Sequence, residues 1–165
     1  MIIRNIRPAD YPSIIAVLDD WWGGRKMSDM LPRLFFVHFQ ETSLIAEQDS
    51  RIAGFLVGFL SQTFENEAYI HFVGVHPDHR TQGVGRRLYE RFFKIVRKNG
   101  CDLVRCVTAP INKGSIAFHT SMGFRAEPQG TQMDGIPFYP DYDGSGEHRV
   151  LFVKHIGDQS ASIQT

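Results

Sequence analysis

Residues 73–90 read VGVHPDHRTQGVGRRLYE, from Val73 to Glu90, and this stretch decides the fold. Val73-Gly74-Val75 closes an alternating run that suits a strand, and His76-Pro77-Asp78 makes a turn. From Gly83 to Asn99, Val84, Leu88, Phe92 and Ile95 or Val96 recur at helical spacing, and Gly100 stops the pattern. A strand that turns straight into a helix aims several backbone N–H groups, and the positive end of the helix dipole, at one point that favours an anion. Gly83 and Gly85 keep side chains away from those amides, while Arg80 and Arg86 add cationic donors. Two rival phosphate motifs are absent. A Walker A loop needs Gly-x4-Gly-Lys-Ser/Thr; a dinucleotide fingerprint needs a third glycine where Arg86 to Leu88 supply none, and the matching strand-helix alternation is missing too. ATP and NAD are therefore disfavoured.

Outward from this stretch, IIRNIR at residues 2–7 alternates as a strand, and Asp10 is the candidate cap of a helix running to about Asp20. The break WWGGRKMS spans 21–28. Met30, Leu34, Val37 and Phe39 predict a second helix over 29–40, with Pro32 in its first turn. Strands are expected at 43–48, at 51–62 across the Asp49-Ser50 turn, and at 68–75. A strand at 102–108, a helix at 112–122, a strand from Phe124 and a last strand at 148–156 complete the chain. Strand, helix and strand over 70–108 require one parallel pair inside an otherwise antiparallel sheet. The fold class is α+β: a mixed, mostly antiparallel sheet with helices on both faces. No linker or repeat interrupts it, so residues 1–157 are expected to form a single domain, with 158–165 a frayed tail.

Here the chain resembles the GCN5-related N-acetyltransferase (GNAT) family. The family's acetyl-CoA motif, Arg/Gln-x-x-Gly-x-Gly/Ala, stands as Arg80-Thr81-Gln82-Gly83-Val84-Gly85, and a second block stands as Asn112-x-x-Ser115-x-x-Phe118-His119-x-x-Met122-Gly123-Phe124. The order of elements from residue 1 to about 156 is also similar to the family's. The resemblance implies an acetyl-CoA-dependent N-acetyltransferase, moving the acetyl group directly to a primary amine in a ternary complex. It implies that the amides of Gln82, Gly83, Val84, Gly85 and Arg86 hold the CoA pyrophosphate, with Arg80 beside them. The strand at Val73 to Val75 splays from its neighbour through a bulge at Gly74, leaving a central strand pair open to the pantetheine arm, which Asn112 bonds with Ser115 close by. The resemblance further implies that the Val73 amide points at the thioester carbonyl, where it stabilises the developing oxyanion.

One position departs from the family. The residue after Phe118 is commonly Tyr, the acid toward the leaving thiolate, and here it is His119. An imidazolium of pKa ~6.5 can protonate a thiolate of pKa ~8.5, so His119 stands as the candidate acid. A helix histidine packed near the cofactor is the competing reading. An amine of pKa near ~10.4 must also lose a proton before it attacks, at a cost of about 4 to 5 kcal/mol at neutral pH. Glu67, Tyr69 and His71 alternate along the strand and share a face, and Glu67 or His71 is the preferred base.

Composition narrows the rest. The 165 residues are 42% hydrophobic and 22% charged with a net charge of zero, so a disordered tail protein is excluded and nucleic-acid binding is not expected. The longest apolar run, Ile52 to Leu60, is too short to span a membrane, no secretory leader is visible, and two cysteines make a reducing cytoplasm the simpler home. No metal is expected from His71, His76, His79 and Asp78, whose spacing matches no ligand signature. The five acids of residues 127–147 (Glu127, Asp134, Asp141, Asp143, Glu147), with Phe138, Tyr139 and Tyr142, sit on a long loop suited to a cationic acceptor, from the same chain or from a second copy in a homodimer. The acceptor itself is left as a small amine or a peptide N-terminus. A noncatalytic acyl-CoA-binding or regulatory module is the alternative reading.

Overall fold

In a computed structural model the described residues are 1–157, and they divide into two compact units; the tail at 158–165 lies outside the described residues. The first unit comprises residues 1–60 and 70–99. It contains β1 (Ile2–Asn5), α1 (Tyr11–Trp21), α2 (Leu34–His38), β2 (Leu44–Gln48), β3 (Arg51–Leu60), the last six residues of β4 (Glu67–Val75), and α3 (Val84–Lys98). The strand order is β1-β2-β3-β4, with β1–β2 and β2–β3 antiparallel. Asp49 and Ser50 both take positive φ (50° and 60°), the primed geometry that matches the twist of a two-residue hairpin.

Two local expectations change here. Asp10 stands at the N-cap position of α1, but its side chain makes no capping bond: its carboxylate takes the Arg4 guanidinium at 2.8 and 2.9 Å and the Arg7 N–H at 2.7 Å. The helix expected over 29–40 is divided into one 3-10 turn (Ser28–Met30) and the short α2, because the ring of Pro32 disfavours helical backbone at Leu31, whose φ and ψ are −126° and 66°.

One face of the sheet buries Ile45, Phe55, Val57 and Phe72 against Ile14, Leu18 and Trp21 of α1 and Phe36 of α2. On the other, α3 brings Val84 and Leu88 against Gly54. Helices thus cover both faces of this unit's sheet. Trp21, read from sequence as a loop residue, ends α1 and is core. A Cβ on Gly54 would lie 2.8 Å from the Gly74 carbonyl oxygen, and one on Gly74 would lie 2.5 Å from the Phe55 ring and 3.1 Å from that of Trp22. Gly74 is therefore explained by the aromatic rings it admits. The register shift in the β2–β3 ladder falls between Ala46 and Glu47.

The second unit comprises residues 61–69 and those from 100 onward. After the first three residues of β4 come β5 (Leu103–Thr108), α4 (Lys113–Ser121), β6 (Arg125–Ala126), β7 (Thr131–Met133), β8 (Ile136–Phe138) and β9 (Val150–His155). Its strand order is β4-β5-β9-β6. The parallel β4–β5 ladder consists of Glu67↔Leu103, Ala68↔Val104 and Tyr69↔Arg105; β9 pairs antiparallel with β5 and with β6. The stretch 127–147 is not an irregular loop. The Asp134-Gly135 turn, both residues at positive φ, closes a hairpin of β7 and β8.

Gly74→Ala is expected to lower stability by about 1–3 kcal/mol, since the new methyl group must displace Phe55 or Trp22 in a filled core. A urea midpoint equal to the wild-type value would show that these rings can yield at no cost.

Candidate active site

In the first unit β4 ends at Val75, a 3-10 turn spans Pro77–His79, and the backbone reaches α3 through Thr81 and Gly83, both at positive φ (64° and 78°). The side chains of the turn hold its own shape. Gln82 donates to the Asp78 carbonyl at 2.7 Å and Thr81 to the Arg80 carbonyl at 2.6 Å. The Arg80 guanidinium donates to the carbonyls of Val75, at 3.3 Å, and Trp21. Arg80 thereby braces the turn to the end of β4 and the last residue of α1.

Gly83 is the N-cap of α3 and carries no side chain to satisfy the amides behind it. The Arg87 N–H bonds the Gly83 carbonyl at 3.0 Å, so those of Val84, Gly85 and Arg86 precede the first intrahelical bond. A Cβ built on Gly83 would meet nothing within 4 Å. These amides point from the start of the helix beside the exposed Arg86, the geometry that favours an anion.

Along β4, Glu67, Tyr69, His71, Val73 and Val75 are half-buried, in alternation with buried residues. His71 Nε2 lies 2.7 Å from the Met30 carbonyl oxygen, and the ring stacks on Phe35 at 4.3 Å. A carbonyl only accepts, so Nε2 carries a proton, and whenever the ring is neutral the lone pair is at Nδ1. Val73 follows on the same face, about 7 Å along the strand. The other two base candidates belong to the second unit. Both Glu67 carboxylate oxygens are held by Arg105, at 2.9 and 3.2 Å, and the same guanidinium bonds Glu127. Burial raises the Tyr69 pKa, so this phenol keeps its proton.

Also in the second unit, Asn112 caps α4 by accepting the Ser115 N–H at 3.1 Å, and His119 is buried one turn further on. His119 Nδ1 donates to the Ser115 carbonyl at 2.8 Å, and the ring stacks on Phe152 at 5.1 Å.

Comparison with known proteins places these features. The profile of the acetyltransferase (GNAT) family matches residues 4–124. The chain belongs to the GNAT family. It is 28% identical over 101 residues to the L-2,4-diaminobutyric acid acetyltransferase of Nocardia farcinica, a match covering 61% of this chain and 51% of that protein. It thus spans about half the length of that curated relative. It is also 28% identical over 116 residues, 70% of each chain, to the [ribosomal protein bS18]-alanine N-acetyltransferase of Escherichia coli strain K12. Among solved structures, the Salmonella typhimurium acetyltransferase yncA, determined with its cofactor acetyl-CoA, shares the fold at a TM-score of 0.70 and 20% identity, covering 98% of this chain and 96% of that one.

For a GNAT chain, the surroundings of His119 bear on the acid role. Burial lowers its pKa below the ordinary value, against a smaller opposing effect of the Ser115 carbonyl. At neutral pH the imidazolium is then scarcer than in water, which runs against a proton donor and suits a ring packed among Phe118, Phe124 and Phe152. The acidic stretch is also less open than its composition implies. Glu127 pairs with Arg105, Asp134 with Lys113, and Asp143 and Glu147 with Arg149. Asp141 accepts the Gly146 N–H at 2.7 Å and faces His148. Of the aromatics there, Phe138 is buried, while Tyr139 and Tyr142 are exposed in edge contact with each other.

The other candidates have ordinary places. His76 Nδ1 accepts the Asp78 N–H at 3.2 Å, and among the described residues no group of three or more His, Cys, Asp or Glu is placed to hold a metal ion. Cys101 and Cys106 are free and buried, and burial raises both thiol pKa values. Among the described residues no helix is long and apolar enough to cross a membrane. Sequence reasoning missed Arg105: its place beside Glu67 comes from strand pairing between positions 38 apart, and no motif marks it.

Because His119 is held neutral, the folded chain binds fewer protons than the unfolded one as the pH falls below ~6.5, so its contribution is complete above that value and is lost below it. His119→Phe should therefore flatten the decline in stability between pH 7.5 and 5, measured as urea midpoints. Parallel wild-type and mutant profiles would assign that decline to other groups.

Proposed function

We propose that this protein is an N-acetyltransferase that carries an acetyl group from acetyl-CoA to a primary amine by direct attack in a ternary complex. The observation that carries the reading is the start of α3 on Gly83, which leaves the Val84, Gly85 and Arg86 amides with neither a side-chain cap nor an intrahelical acceptor. The CoA pyrophosphate binds there, at a turn whose shape Arg80 and Gln82 already hold. Asn112 and Ser115 take the pantetheine arm, as the family's second motif implies, and residues 1–157 serve as one acetyltransferase domain. The acceptor class, a small amine or a peptide N-terminus, follows the two kinds of relative. The two buried thiols suit a reducing cytoplasm.

In the reaction the amine nitrogen attacks the thioester carbonyl carbon, and the Val73 N–H steadies the oxyanion that forms. The C–S bond then breaks and CoA leaves as a thiolate. The proton lost by the amine passes through water to His71 Nδ1, which holds a lone pair because Nε2 is committed to the Met30 carbonyl. Glu67 is left out of this role because its carboxylate is clamped by Arg105. The thiolate takes its proton from water, and His119 keeps α4 in place.

Gly83→Asp should abolish acetyl-CoA binding by setting a carboxylate where phosphate sits. Gly83→Asn, also tolerant of the left-handed backbone but neutral, should weaken binding far less. Equal affinity of the Asp variant and wild type, by calorimetry, would remove the turn from the cofactor site. With a panel of amines and released thiol as the readout, His71→Gln should lower kcat by on the order of 10²-fold while leaving acetyl-CoA affinity unchanged. An unchanged kcat would move the base elsewhere, and no thiol release with any amine would point to a binding module.

A further inference from the structure

The base in this reading is fixed by a backbone carbonyl, so something must fix that carbonyl. Met30 ends the 3-10 turn Ser28–Met30, which lies between the Gly23-Gly24 break and Pro32. Gly23 and Gly24 both adopt positive φ (66° and 86°), a backbone that gains much freedom when its anchors are lost. The anchor comes from α1. Asp19 Oδ1 accepts the N–H groups of both Met27 and Ser28 at 2.8 Å, and Oδ2 accepts the Ser28 hydroxyl at 3.1 Å. The turn then closes on itself, Met30 N–H to the Met27 carbonyl at 3.0 Å and Leu31 N–H to that of Ser28 at 3.1 Å. Met27 and Phe35 pack on the core at either side. Three bonded steps thus lead from one carboxylate to the catalytic ring: Asp19 to the Met27 and Ser28 amides, these to the Met30 turn, and the Met30 carbonyl to His71 Nε2.

We propose that Asp19 is a positioning residue for the acetyl transfer: by clamping the turn at Met27 and Ser28 it aims the Met30 carbonyl at His71, and so holds the proton on Nε2 and the lone pair on Nδ1. This rests on the reading of His71 as the base. Asp19 acts in this proposal through the Met27 and Ser28 bonds, not on the reacting atoms. Its effect is on tautomer and ring orientation, since a neutral imidazole without the carbonyl acceptor is free to place its proton on either nitrogen. The backbone donors of Ser28 and Met27 also hold the Asp19 carboxyl below the usual carboxylate range, so the clamp is charged at neutral pH.

The test uses the full chain without ligand, with imidazole nitrogen spectra of wild type, Asp19→Ala and Asp19→Asn, followed by turnover of acetyl-CoA with whichever amine of the panel is accepted. Wild type should show His71 as the Nε2–H tautomer. Asp19→Ala should add the Nδ1–H form and lower kcat about tenfold, with the KM for acetyl-CoA within about twofold of wild type. Asp19→Asn should stay close to wild type, because its side-chain oxygen still accepts both amides. A wild-type His71 spectrum and kcat in Asp19→Ala would overturn the proposal, as would an Asn variant as impaired as the Ala variant. Should Asp19→Ala not fold, Asp19→Ser, whose hydroxyl falls short of both amides, is judged by the same spectra and rates. His71→Gln separates the two ideas: an unchanged kcat there overturns the base assignment, while the tautomer seen in the Asp19 variants still decides the clamp.

Discussion

A helix that begins on a glycine has no side-chain oxygen to satisfy its first amides, and much of the first unit is arranged around that deficit. Unpartnered N–H groups are tolerable only where water or a ligand reaches them, so the start of α3 must stay open. Openness alone would leave a mobile turn. Here the shape is held from below: Gln82 and Arg80 bond the turn's own carbonyls and that of Trp21, and Val84 and Leu88 fasten the helix over Gly54. Amides that are already aimed remove much of the ordering cost from the anion binding proposed for this turn. The glycines of β3 and β4 serve the same end, since only without side chains can Gly54 and Gly74 let α3, Phe55 and Trp22 come so close.

Hydrogen bonding also sorts which polar groups remain chemically usable. Glu67 and His71 lie on one strand with the same alternation, yet one carboxylate is locked by a two-pronged guanidinium while the other side chain donates from Nε2 to a backbone carbonyl. The same reasoning applies to residues 127–147, where partners occupy the acids and a hairpin orders much of the chain. Charge counted along a sequence overstates the field a ligand meets when the opposite charges come from distant positions, such as Arg105 for Glu127 and Lys113 for Asp134.

By itself the sequence determined the features that depend on neighbours in the chain. The strand before Val75, the turn at His76-Pro77, the glycine start of α3 and its stop at Gly100 all follow from local backbone preference and side-chain period, and they carry the family signature. The helix over 29–40 failed for an equally local reason, the effect of Pro32 on Leu31, which its apolar spacing masked. Tertiary structure alone decided which polar groups partner one another. His71 meets a carbonyl 41 positions away, Arg105 reaches Glu67 across 38, and His119 is placed among Phe118, Phe124 and Phe152. Periodicity shows which face a residue occupies, but strand register and helix packing select what it touches there, and those contacts set protonation, tautomer and availability.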